Sequence, residues 1–99
     1  MLNVIKKTEE GKAFLTLVGR LDTITAPELE VAIKEVITGV KELILNFENL
    51  EYISSAGLRV LLSAQKVMNE QGAMKILKVN DTIKEIFEVT GFSDILTIE

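Results

Sequence analysis

Apolar and polar side chains alternate along Leu2-Asn3-Val4, the polar stretch Glu9-Glu10-Gly11-Lys12 interrupts, and a more apolar run follows from Ala13 to Val18. Period-two patterning on both sides of a turn predicts two strands joined as a hairpin. Gly19-Arg20-Leu21-Asp22 then leads into Thr25-Ala26-Pro27-Glu28. Here Thr25 is placed to cap a helix, Glu28 stands three residues later as in a capping box, and Pro27 is tolerated in a first turn. Leu29, Ala32, Ile33, Val36 and Ile37 continue at spacings of three and four, and Gly39 supplies the stop. One apolar stripe of this kind packs on a flat partner.

Leu43-Ile44-Leu45-Asn46-Phe47 carries too little alternation for an exposed strand and is too short for a helix. It reads as a central strand covered on both faces, parallel to a neighbour. After a connection from Glu48 to Ile53, a second helix is expected from Ser55 to about Gln71. Leu58, Leu61, Leu62, Ala64, Val67 and Met68 form its wide apolar face, and Gly72 ends it. Ala73 to Val79 reads as another strand. Asn80 or Asp81 caps a third helix bearing Ile83, Ile86 and Phe87, Gly91 terminates it, and Ile95-Leu96-Thr97-Ile98 reads as a last strand. The order β-β-α-β-α-β-α-β implies an α/β sandwich, a mixed sheet with a largely parallel centre and helices packed on it.

The 99 residues, with a single proline and no linker-like segment or repeat, suit one domain spanning 1–99. At 47% hydrophobic and 26% charged the chain can bury a core. It has neither cysteine nor histidine. Disulfides, thiolate nucleophiles, thiolate zinc sites and every imidazole-dependent mechanism are therefore excluded. There is no phosphate-binding glycine loop and no dinucleotide glycine pattern, so neither cofactor nor metal is expected and nothing points to an enzyme. Fifteen acidic against eleven basic residues, a net charge of −4, and the lack of a basic cluster argue against nucleic acid and against anionic membranes. Lys6, Lys7, Glu9 and Glu10 follow the first apolar residues too closely for a signal peptide, and no run could span a bilayer. A cytoplasmic location without membrane insertion is the expectation, and the missing cysteines fit it.

The most unusual stretch runs from Asn46 to Leu61. Two adjacent hydroxyls, Ser54 and Ser55, then Ala56 and Gly57, sit between an apolar strand and an amphipathic helix. In open α/β sheets, ligands and modifications gather at strand carboxyl ends and the helix N-termini that follow. Free N–H groups and the positive end of the dipole there favour an anion, so a phosphate on either serine could be accommodated. A serine here can equally be a plain N-cap worth about 1 kcal/mol, with Gly57 allowing tight packing. Asp22 can be a turn residue. Arg59 can be an exposed helix residue, Glu48 and Glu51 a solvated rim, and Tyr52 and Phe92 packing residues.

Taken whole, Ser54-Ser55-Ala56-Gly57-Leu58 resembles the signature of the STAS domain family, of the anti-sigma factor antagonist type. Gly19-x-Leu21-Asp22 followed by Thr25-Ala26-Pro27-Glu28-Leu29 is similar to the family's first block, and Thr90-Gly91-Phe92 with Ile95-Leu96 to its closing one. With the element order, the resemblance covers nearly the whole chain. It implies a regulatory binding protein whose serine, at the start of the helix after the central strand, is phosphorylated by a partner serine kinase that is itself the anti-sigma factor. That partner is an ATPase of the histidine-kinase-like type, and a metal-dependent serine/threonine phosphatase resets the switch. Aligned on Gly57-Leu58, the modified serine falls on Ser55, with Ser54 less favoured. Ser54 occupies the family's aspartate position and Ala56 replaces a second hydroxyl. Asp22, Ser54, Ser55, Gly57 and Arg59 are the implied partner-binding residues. The alternative is a constitutive STAS adaptor, or a ligand-binding subunit of a transport or scaffold complex, in which Ser55 is a cap only.

Overall fold

The computed structural model describes residues 1–99. Strands β1 (Leu2–Glu9) and β2 (Lys12–Leu21) form the expected hairpin, paired antiparallel from Leu2↔Gly19 to Glu9↔Lys12. Helix α1 (Ala26–Val36) crosses to β3 (Glu42–Ile53), α2 (Ser55–Gln71) to β4 (Ala73–Leu77), and α3 (Asp81–Thr90) ends the regular part. The sheet runs β1-β2-β3-β4, with β2, β3 and β4 mutually parallel. Parallel strands need crossovers, and the stripes on the helices bury themselves against the sheet those crossovers create.

Alternate residues in the central parts of β2, β3 and β4 contribute to one continuous core. Leu15, Leu17, Leu43, Leu45, Phe47, Met74 and Ile76 meet Leu29 and Ile33 of α1, Leu58, Leu61, Ala64 and Met68 of α2, and Ile83 and Phe87 of α3. The rings of Phe47 and Phe87 lie 6.4 Å apart at 42°, a tilted aromatic pair that locks α3 to the central strand. No helix is long and apolar enough to cross a membrane.

Four local expectations are corrected. β3 is covered on one face only: Ile44 and Asn46 are half-buried, and with Phe14, Thr16 and Leu77 they line a face that no helix occupies. The unbroken apolar run reflects Ile44 sharing that open face with Phe14, not a second layer. β3 also does not end at Phe47. It continues through Glu48–Ile53, because two register shifts against β2, between Thr16 and Val18 and between Gly19 and Arg20, absorb extra residues that hid the period-two pattern. The Asn46 side chain supports the first shift by accepting the Glu48 N–H at 2.9 Å. Thr25 precedes α1 but makes no side-chain cap; its hydroxyl is used in the preceding loop. Finally, Ile95–Ile98 forms a single parallel bridge, Ile76↔Ile98, rather than a strand. A 3-10 turn at Phe92–Asp94 and helical backbone at Ile95 leave too few extended residues for a ladder along β4.

Candidate functional site

Because β2, β3 and β4 are parallel, their carboxyl ends lie along one edge of the sheet, and all three helices begin there. The loop after Leu21, the loop after Ile53 and the start of α3 are thereby gathered. Leu21 pairs with Ile53, and the Ser54 N–H donates to the Leu21 carbonyl at 2.8 Å, which sets Asp22 and Ser54 side by side. Asn80 fastens α3 to the same edge: its Oδ1 accepts the Ile83 N–H at 2.8 Å and its amide donates to the Leu50 carbonyl at 2.9 Å.

The two serines have different roles. Ser54 has extended backbone and is the N-cap of α2, its hydroxyl accepting the Gly57 N–H at 3.4 Å. Ser55, at the first helical position, is exposed, and its hydroxyl makes no hydrogen bond. A reading of Ser55 as cap is thus corrected: that task belongs to its neighbour, which frees Ser55. The N–H groups of Ser55 and Ala56 have no partner within the helix, as the geometry of a helix start dictates.

Gly57, expected among the partner-binding residues, is buried. A Cβ on it would fall 2.7 Å from Leu21 Cγ and 2.9 Å from Ile53 Cγ1. Its place is beneath the surface, where it lets the first turn of α2 settle on the ends of β2 and β3. Arg59 is exposed one turn further on. It lines a groove of about 400 Å³ between α1 and α2 with Thr23, Pro27, Glu30 and Ser63. The groove continues into a smaller apolar cleft of about 100 Å³ over Ile33, Ile37, Val60 and Val67.

Asp22 organises its loop. Its Oδ1 accepts the N–H groups of Ile24 and Thr25, each at 3.0 Å. The Thr25 hydroxyl accepts the Asp22 N–H at 2.9 Å and donates to the Arg20 carbonyl at 2.8 Å. The Thr25 N–H bond, seconded by the Thr25 hydroxyl and the Ile24 N–H, holds the Asp22 carboxyl below the usual aspartate range. Oδ2 makes no hydrogen bond and remains open on the half-buried side chain.

Two features of this edge were not anticipated. Ile24, held by the Asp22 turn, is 83% exposed, an unpartnered apolar tip on the same loop. An isoleucine inside the polar stretch Asp22-Thr23-Ile24-Thr25, outside either apolar period, was the available signal. The Arg20 guanidinium lies 4.8 Å from the centroid of the Tyr52 ring, so Tyr52 supports a cation rather than filling the core. Phe92 packs against the core, as expected, and Glu48 and Glu51 are exposed.

A family model described as STAS domain matches residues 3–99. The chain is 33% identical over 103 residues to an anti-sigma-B factor antagonist from Staphylococcus aureus, covering 98% of this chain and 92% of that protein. An anti-sigma factor antagonist from Mycobacterium paratuberculosis has a similar fold, with a TM-score of 0.89 and 19% identity over 99% of this chain and 85% of the other. The Bacillus cell fate determinant SpoIIAA, solved in a phosphorylated form, superposes with a TM-score of 0.74 and 20% identity over 100% of this chain and 91% of the other.

Proposed function

The chain belongs to the STAS domain family, and we propose that within it the protein is an anti-sigma factor antagonist switched by phosphorylation of Ser55. In this reading the unmodified protein binds, in the cytoplasm, an anti-sigma factor that is a serine kinase of the histidine-kinase-like ATPase type. Phosphorylation releases that partner, and a metal-dependent serine/threonine phosphatase restores binding. The observation that carries the reading is the Ser55 hydroxyl, exposed and unbonded at the start of α2, with the cap supplied by Ser54.

The surroundings support it physically. Ile24 offers an apolar anchor, Asp22 Oδ2 an acceptor for a partner's cation, and Arg59 a donor for a partner's carboxylate. Such an arrangement, one apolar tip among fixed polar groups, suits a binding surface. A phosphate on Ser55 adds about −1.5 to −2 charges in the midst of it. Desolvation and repulsion then weaken the complex, while the helix start stabilises the phosphate, so the fold is retained. A penalty of about 1.4 kcal/mol already shifts occupancy tenfold.

The test is affinity capture from lysate of the native host with wild type, Ser55→Ala and Ser55→Asp as baits. Wild type and Ser55→Ala are expected to retain an ATP-binding serine kinase that Ser55→Asp releases. Retention of the same proteins by all three would overturn the switch and favour a constitutive adaptor.

A further inference from the structure

The chain has two arginines, Arg20 and Arg59. Neither belongs to an ion pair; the contacts between opposite charges are all made by lysines. Arg20 is occupied by the Tyr52 ring. Arg59 has no such partner, although it is the one cation lining the wider part of the groove between α1 and α2, where Glu30 stands on the other wall, Lys34 lining only the narrower continuation.

Arg59 follows Ser55 by four residues within α2. Side chains so spaced lie on one face of a helix with Cβ atoms about 5–6 Å apart. Helical Cα–Cβ bonds tilt toward the N-terminus, so a long side chain at position 59 covers the turn above it, where Ser55 sits, and not the turn below. An anion placed N-terminal to a cation at this spacing is also the favourable order with respect to the helix dipole.

We infer that Arg59 is the internal counter-ion of a phosphate on Ser55. Resting on the reading of Ser55 as the modified residue, this assigns Arg59 as a positioning residue for the modified state. Phosphorylation then alters the surface at two points together: it adds an anion at Ser55 and draws the guanidinium out of the groove onto that anion. The unmodified chain presents a free cation to an acidic group of the partner. The modified chain presents a neutralised pair in its place.

The experiment uses the full chain carrying phosphoserine at position 55, installed by chemical ligation so that no kinase is required. Phosphorus NMR then follows the phosphate through its second ionisation, monoanion to dianion, in three backgrounds: wild type, Arg59→Gln and Arg59→Lys. A unit charge about 6 Å away in water corresponds to a roughly threefold weaker hold on that proton. Wild type is expected to show it relative to Arg59→Gln, Arg59→Lys to keep most of it, and 0.5 M salt to shrink it. The unmodified Arg59→Gln chain should melt with wild type, which separates pairing from folding. Superimposable titrations of wild type and Arg59→Gln would overturn the inference even if partner capture behaves as proposed. A threefold difference would sustain it even if no anti-sigma factor is ever captured.

Discussion

Gly57→Ala is the substitution on which the architecture of the site depends most directly. The added methyl carbon would lie 2.7 Å from Leu21 Cγ and 2.9 Å from both Leu21 Cδ2 and Ile53 Cγ1. Both neighbours are buried, Leu21 wholly and Ile53 to within 1%, so neither can swing into solvent. Forcing a methyl group into a packed core costs about 1–3 kcal/mol. Alanine recovers up to about 1 kcal/mol over glycine in a helix, and less in the first turn. The net expectation is a loss of about 1–2 kcal/mol. For a domain of this size that is a fall in Tm of roughly 5–15 °C. Thermal and urea unfolding of the purified variant measure it, with Ser63→Ala, an exposed position on the same helix, as the control expected within about 0.5 kcal/mol of wild type. Because strain is relieved by lifting the start of α2 away from Leu21 and Ile53, the bond from the Gly57 N–H to Ser54 should weaken too. A Gly57→Ala chain as stable as wild type, or more so, would refute the packing argument and leave only helix propensity at that position.

The two serines should separate cleanly in the same unfolding assay: Ser54→Ala loses about 0.5–1 kcal/mol with its cap, while Ser55→Ala stays within about 0.5 kcal/mol. Equal losses would show that the cap is shared. Asp22→Ala tests the loop. Hydrogen bonding lowers the Asp22 pKa in the folded chain relative to the unfolded one, so its contribution is complete above the ordinary aspartate range near pH 4 and is lost as pH falls through the folded value. Denaturation curves should therefore show Asp22→Ala less stable than wild type at neutral pH and the two converging under acid. A gap that stays constant with pH would rule out the carboxylate as the source.

Much of this protein was legible in the residues themselves. The hairpin, the three helices and the parallel centre follow from period-two and 3.6-residue patterns, because each element must bury one face and alternating strands and helices leave few layered arrangements that do so. Gly91 marks the end of α3 by local backbone chemistry that needs no tertiary context and is found in that role with φ of 81°, whereas of the two candidate caps, Asp81 and Asn80, the structure selects Asn80. The juxtaposition of Ser54, Ser55 and Gly57 at a helix start was equally local, and so was its resemblance to a STAS signature.

What depended on through-space contacts could not be read in this way. Ile44 is apolar whether a second layer covers it or not, so periodicity alone could not say that one face of β3 lies open. The register shifts that carry β3 through to Ile53 are settled by pairing with β2, a partner thirty or more residues away in sequence. Likewise, which serine caps α2 depends on where the chain leaves the sheet: the hydrogen bond from the Ser54 N–H to Leu21 fixes Ser54 as the last extended residue and turns Ser55 into the first helical one. Thr25 lost its expected cap to the Arg20 carbonyl and the Asp22 N–H for the same reason. Local sequence sets which groups can donate, accept or bury themselves, whereas the partner each group takes is chosen by the fold that brings distant residues within reach.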